Sequence, residues 1–164
     1  MKLFTTMPTP VGDMLLVGSR ESGRFTLTGA YFIGQRHELA LDDGWCPDPE
    51  AFASVTTQLD EYFAGRRVSF DLPLEFHSTP FQESVWRTLL EIPYGTTWSY
   101  RELAEKSGHG GKVRAVAAAV GRNRIGVIVP CHRVIGSDGS LTGYAAGLDR
   151  KRWLLAREGV ILPG

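Results

Sequence analysis

The chain has 164 residues, room for one ordinary domain or two small ones sharing an interface, and its 43% hydrophobic content is normal for a soluble globular protein. No apolar run is long enough to span a bilayer, and Met1-Lys-Leu-Phe-Thr-Thr has no signal-like h-region. The formal net charge of zero hides an asymmetry: residues 1–77 hold 6 Lys/Arg against 11 Asp/Glu, and residues 78–164 hold 12 against 7. A basic half beside an acidic one is a recognised sign of a nucleic-acid-facing surface, although two solvated surfaces of accidental sign would look the same.

The first half begins with extended segments, Lys2–Met7, Met14–Gly18 and Phe25–Ile33, separated by a Pro-Val-Gly-Asp turn at 10–13 and a Gly/Ser turn. This spacing predicts an antiparallel meander. Residues 34–46 read as polar and irregular. Asp48 with Pro49 then opens a helix whose apolar stripe is Phe52, Val55, Leu59, Tyr62 and Phe63 and which Gly65 stops. Val68–Leu72 is read as one more short strand.

The second half opens at Thr79-Pro-Phe-Gln82, a capping box with proline at the first helical position, and Phe81, Val85, Trp86 and Leu89 supply the buried face. A second capping box, Ser99-Tyr-Arg-Glu102, starts a helix that Gly108 ends; after His109-Gly-Gly111 comes a further helix, Lys112 to Gly121. Two short helices joined by a glycine turn outline a helix-turn-helix, an outline that many helical hairpins share without binding DNA. Seven of the nine charged residues in 101–133 are basic, with Arg114, Arg122 and Arg124 in or just past the second helix. Val113, Val116 and Val120 share one face of that helix, and Ala115, Ala118 and Ala119 are small. Ile125–Val129 is read as a strand with Cys131 just past its end, and Asp149 as the cap of a last helix carrying Trp153 and Leu154. The fold class expected is α+β: a small N-terminal α/β domain (1–77) with an antiparallel sheet, and a mainly helical C-terminal domain (78–164) with a helix-turn-helix and an active-site loop.

Chemistry concentrates at Val127-Ile-Val-Pro-Cys-His-Arg-Val-Ile-Gly136. A free thiol of ordinary pKa is only about 3% thiolate at neutral pH, so a neighbouring base or positive charge decides whether Cys131 reacts. A buried, inert cysteine is the bland alternative. Two cysteines without C-x-x-C spacing argue against a disulfide scaffold or a cysteine-rich zinc site. Cys46 and His37 are isolated, so no metal and no cofactor are expected. A working thiolate wants a reducing compartment, which makes the cytoplasm the expected location.

Pro130-Cys-His-Arg-Val134 resembles the acceptor-cysteine motif of the methylated-DNA:protein-cysteine methyltransferases, the O6-alkylguanine-DNA alkyltransferases. Ser99-Tyr100, Arg114-Ala-Val116, Asn123, Gly143-Tyr144 and Trp153-Leu-Leu-Ala-Arg-Glu158-Gly agree in order and spacing. The resemblance covers essentially the second half and is loose before it. It implies stoichiometric, irreversible transfer of a methyl or other alkyl group from the 6-oxygen of guanine in DNA to Cys131, with His132 as a base acting through water and Glu158 orienting that histidine. It further implies that Tyr100 helps to rotate the nucleotide out, that Arg114 fills the gap in the stack, and that Asn123 braces the turn. Lys112, Ala115, Arg122 and Arg124 would meet duplex DNA in its minor groove, and Tyr144, Val134, Ala145 and Ala146 would line the pocket. The free protein is expected to be a monomer.

Two departures stand out. Arg124 occupies a position where the family usually has proline, which suggests a looser turn, and Ala145-Ala146-Gly147 replaces Gly or Ser, then Gly. The rival readings are a non-catalytic alkylated-DNA sensor, a helix-turn-helix regulator, and a cysteine hydrolase. Cys131 disfavours the first. The hydrolase is disfavoured because sequence neighbours on an extended segment point to opposite sides.

Overall fold

Alternation of side chains builds the first sheet. In β1 (Lys2–Met7), Leu3, Thr5 and Met7 are buried while Lys2 and Thr6 are exposed. β1 pairs antiparallel with β2 (Met14–Glu21), which pairs antiparallel with β3 (Arg24–Phe32). Met14 through Val17 are buried on both faces. One side of the sheet meets a 3-10 turn at Pro49–Phe52, with Phe52 edge-on to Phe25, that Asp48 caps by accepting from the Ala51 N–H and that leads into the helix α1 (Ala53–Phe63). The whole predicted stripe, Phe52, Val55, Leu59, Tyr62 and Phe63, is buried. The other face carries a cluster of Leu15, Val17 and Tyr31 against which Phe4, Leu39 and Trp45 pack.

That second cluster explains one departure from expectation. Residues 34–46 are not wholly irregular, because Trp45–Pro47 forms β4, parallel to β1, and the sheet order is β3-β2-β1-β4. Val68–Leu72 forms no strand; the chain instead makes a single bridge, Leu27 to Leu74, with Leu27 N–H donating to the Pro73 carbonyl at 2.8 Å. A second bridge, Ala30 to Ile125, lies further along β3. Two single bridges thus occupy backbone groups on a strand that would otherwise be an open sheet edge.

The structure, a computed structural model, describes residues 1–162, so positions 163 and 164 of the expected 78–164 domain lie outside the described residues. By packing, the chain divides into two compact units: residues 1–77 with 124–128, and residues 78–123 with those from 129 onward. In the second unit, α2 (Pro80–Leu89) has its capping box formed as expected, Thr79 and Gln82 bonding reciprocally. β5 (Trp98–Ser99) leads straight into α3 (Tyr100–Lys106), whose Ser99–Glu102 capping box is also formed. Gly108 leaves that helix at φ +83°, a backbone angle that an L side chain rarely adopts, and α4 (Val113–Gly121) follows. Leu103, Ala104, Val116, Ala119 and Val120 are buried, and the Trp86 indole N–H donates to the Ala119 carbonyl at 2.7 Å. A short β6 (Val134–Ile135) pairs in parallel with β5. The last helix, α5 (Leu148–Arg157), starts two residues earlier than expected: Gly147 is its N-cap and Asp149 lies in its first turn.

Candidate active site

The segment entering the site is not the expected strand. Residues 126–129 are turn and bend, and Val127 sits at φ +68° while fully buried. The Ile128 N–H donates to the Gly126 carbonyl at 2.7 Å, a γ-turn of the rarer, strained hand. A second γ-turn follows at Pro130 (φ −82°, ψ 60°), closed by Cys131 N–H to the Val129 carbonyl at 2.8 Å. The β-branched run is therefore apolar because it is buried, not because it pairs in a sheet. Cys131–Arg133 then forms a 3-10 turn, so the premise that Cys131 and His132 lie on an extended segment is also corrected.

Asn123 ties this irregular chain together. Its amide nitrogen donates to the Val129 carbonyl at 2.9 Å and lies 3.1 Å from the Cys131 sulfur. Cys131 is 7% exposed. Burial pushes its thiol up, while the Asn123 amide, the Lys151 ammonium and the Tyr144 hydroxyl act in the opposite direction. The resting group is therefore a thiol that needs a base.

That base stands next in sequence. His132 is fully buried, with Nε2 2.7 Å from Glu158 Oε2, and its Nδ1 has no hydrogen-bond partner. Burial holds its pKa below the ordinary value of 6.5 against the pull of Glu158, so the imidazole is neutral at physiological pH. Glu158, at the C-terminal end of α5, also accepts from Arg133 Nε at 2.8 Å, Arg133 Nη2 at 3.1 Å and the Gly95 N–H at 3.1 Å.

Of the residues expected to line a pocket, Tyr144 has its hydroxyl driven far up by burial, and the neighbouring Cys131 and Glu158 push it the same way. Val134 is fully buried and its carbonyl accepts from the Lys151 ammonium at 2.6 Å. Ala145 is half-buried, and Ala146 is buried with its carbonyl accepting from Arg150 at 3.1 Å. The Tyr100 hydroxyl donates to the Thr142 carbonyl at 3.2 Å, which ties α3 to the same loop.

The remaining predicted residues lie apart from this cluster. Lys112, Arg114, Ala115 and Arg122 are exposed on α4 and its flanks, with Ala118; Ala119, in contrast, faces the core. Arg124 packs with the N-terminal unit: its carbonyl accepts from Ala30 N–H at 2.8 Å and its guanidinium hydrogen-bonds Tyr31. These contacts hold both the backbone and the side chain of Arg124 against β3.

Sequence reasoning missed two buried cations. Arg133 was visible only as a letter of the motif. Lys151 is fully buried, and its ammonium also donates to the Thr142 and Gly143 carbonyls at 2.9 and 3.2 Å. Burial lowers its pKa to about 8. The signal for Lys151 was available: residues 151, 154, 155 and 158 share one helical face, which puts a lysine in line with Leu154 and Leu155.

Clefts elsewhere, one of about 450 Å³ against Phe4, Leu15 and Leu39 and one of about 490 Å³ against Leu141, Leu148 and Val160, are lined by neither cysteine nor histidine. Among the described residues, no group of three or more His, Cys, Asp or Glu is placed to hold a metal ion, and no helix is long and apolar enough to cross a membrane.

Comparison with known proteins agrees over both units. Residues 2–76 match the family model for the ribonuclease-like domain of 6-O-methylguanine DNA methyltransferase, and residues 80–160 match that for its DNA binding domain. A methylated-DNA--protein-cysteine methyltransferase of Mycobacterium tuberculosis is 45% identical over 155 residues, 94% of this chain and 91% of its own. One from Methanosarcina acetivorans is 44% identical over 156 residues, 95% of this chain and 97% of its own. The crystal structure of Mycobacterium tuberculosis OGT in complex with DNA superposes with a TM-score of 0.89 at 44% identity, covering 96% of this chain and 93% of that one.

Proposed function

The chain belongs to the 6-O-methylguanine DNA methyltransferase family, and from that premise we propose that it repairs DNA by moving an alkyl group from the 6-oxygen of guanine to Cys131. The observation that carries the assignment to this residue is the buried constellation around its sulfur: the Asn123 amide at 3.1 Å, and beside it a neutral histidine whose second nitrogen is bonded to Glu158 at 2.7 Å. This is a nucleophile, a base and an orienter.

The chemistry is a displacement at carbon. His132 takes the Cys131 proton through a bridging water, and the thiolate attacks the alkyl carbon. An S–C bond forms as the C–O bond breaks, and the purine leaves with the bonding electrons to be protonated. The product thioether is not cleaved by thiol exchange, so each protein molecule acts once. A base stacked in a duplex cannot reach a protein thiol and is first extruded, at a cost of roughly a few kcal/mol.

In this reading α4 enters the minor groove, about 6 Å wide, with Ala115 and Ala118 giving it the small face such a groove requires. Lys112 and Arg122 meet phosphates, Arg114 fills the vacated stack, and Tyr100 turns from the Thr142 carbonyl to the displaced nucleotide. Arg124 is the weakest of the DNA contacts, since its side chain is engaged by Tyr31. Tyr144, Val134, Ala145 and Ala146 enclose the base. Residues 78–123 with those from 129 onward serve as the DNA-binding and acceptor part, and residues 1–77 with 124–128 as a supporting one. The protein acts as a monomer in the cytoplasm, without metal or cofactor.

Duplex DNA carrying a labelled methyl on the guanine 6-oxygen tests this. The expected result is label on protein, one per molecule. Label remaining on DNA would point to a sensor or regulator, and repeated turnover to another kind of enzyme.

A further inference from the structure

Glu158 carries more than the triad requires of it. Oε1 is taken by Arg133 Nε at 2.8 Å and the Gly95 N–H at 3.1 Å; Oε2 is shared by Arg133 Nη2 at 3.1 Å and His132 Nε2 at 2.7 Å. Arg133 is itself 6% exposed, with its remaining nitrogen donating to the Ile92 carbonyl at 2.7 Å and its guanidinium 5.7 Å from the Tyr94 ring centre. Each guanidinium nitrogen thus donates to an acceptor. A carboxylate buried without a cation tends to take up a proton, and a naked one beside a histidine favours the imidazolium. Neither state suits a base: a protonated Glu158 would lose the charge that steadies the histidine, and an imidazolium has no lone pair left.

Resting on the reading of Cys131 as acceptor and His132 as its base, we propose that Arg133 is a positioning residue that fixes Glu158 as an oriented carboxylate and cancels its charge, so that His132 stays neutral with Nδ1 free to accept the Cys131 proton. The geometry sets the tautomer. With Oε1 occupied twice, Oε2 is the oxygen left for Nε2–H, and donation there leaves Nδ1 as the lone-pair nitrogen, the atom with no hydrogen-bond partner. Arginine suits this place because its planar fork spans both carboxylate oxygens and does not lose its proton. The other titratable groups around the pair are Lys151 and Arg150 of α5, Tyr144 and Cys131 of the pocket, and Tyr94, whose hydroxyl donates to the Arg157 carbonyl at 3.2 Å. Lys151, like Arg133, disfavours the imidazolium, so the test leaves it in place.

The test is the pH profile of single-turnover methyl transfer from an O6-methylguanine duplex, for wild type, Arg133→Met and Arg133→Lys. The expected result for Arg133→Met is an acid limb displaced upward by about one pH unit or more, giving roughly ten-fold slower transfer below the limb and rates recovering above it. Arg133→Lys should restore the limb with a lower plateau. A loss equal at every pH, or no loss, would reduce Arg133 to a structural part and overturn the proposal. Should Arg133→Met fail to fold, nitrogen-15 spectra of the wild-type histidines decide: His132 is expected as the neutral Nε2–H tautomer at about pH 7, and an imidazolium there overturns the proposal. Cys131→Ser run in parallel tests the underlying reading separately, because transfer by that variant would remove the acceptor assignment whatever Arg133 does.

Discussion

The two units bury different things. In the N-terminal unit the interior is Leu3, Met14, Leu16, Leu27, Phe32, Phe52, Val55 and Leu59, and its buried polar groups are hydroxyls, those of Thr5, Thr28, Tyr31 and Tyr62. The C-terminal unit buries Asn123, His132, Arg133, Lys151 and Glu158 around one cysteine. Apolar burial stabilises a fold at roughly 25 cal/mol per Å², whereas burying charge costs several kcal/mol per ion unless each is paired. A small domain that buries four ionisable side chains around one thiol is using them for chemistry. The stability of the two units should therefore respond to different substitutions.

The largest expected effect is at the carboxylate. Glu158→Gln removes the orienter and leaves Arg133 buried without its anion. Methyl transfer should slow about 100- to 10,000-fold, and unfolding should become easier by about 3–5 kcal/mol. Single-turnover kinetics and urea titration measure the two losses. A rate within a factor of a few of wild type would break the distinction between the units. Leu59→Ala in α1 makes the opposite demand: about 2–5 kcal/mol of stability lost to a cavity, with the transfer rate of the folded fraction unchanged. A rate falling in step with stability would mean that the N-terminal unit shapes the chemistry.

Ala146→Gly sharpens the comparison within the pocket. Ala146 is buried, and in the proposed pocket its methyl would occupy room that a large adduct needs. An added methyl in a tight pocket is worth roughly 10- to 200-fold in relative rate. The protein is expected to take methyl readily and benzyl poorly, and the glycine variant to narrow that ratio. An unchanged ratio would show that the loop simply moves aside.

The smallest effect concerns pH. The folded-state pKa of His132 lies below its ordinary 6.5, so the unfolded chain binds more protons in the interval between the two values. The stability contributed by neutral His132 is complete above 6.5 and is lost as pH falls through that interval, at no more than about 1.4 kcal/mol per pH unit. Urea midpoints of wild type and His132→Asn, compared above and below pH 6.5, should differ in slope by this amount. Equal slopes would mean that the histidine is not held neutral by burial.

How much of this was legible in the sequence differs between the units in the same way. Helix stripes and caps were readable because period and chemistry agree: the α1 stripe and both capping boxes stand as expected. β4 was not readable, since three residues in a polar stretch owe their strand to the register of β1. Ile125–Val129 misled because an apolar β-branched run fits buried turn as well as buried strand. At the site, Cys131, His132, Asn123 and Glu158 could be named from their motifs. The cations that complete it were hidden: lysine in a helix reads as solvent-facing until its neighbours at i+3 and i+4 are seen to be core.

If the buried polar cluster makes one thiol an acceptor, the methyl group after reaction must sit on that thiol. Protein allowed to react with an O6-methylguanine duplex is digested, and its peptides are weighed. One methylation is expected on the peptide containing Cys131, none on the exposed Cys46, and no transfer in Cys131→Ala. Methylation at Cys46, or undiminished transfer in Cys131→Ala, would contradict that role.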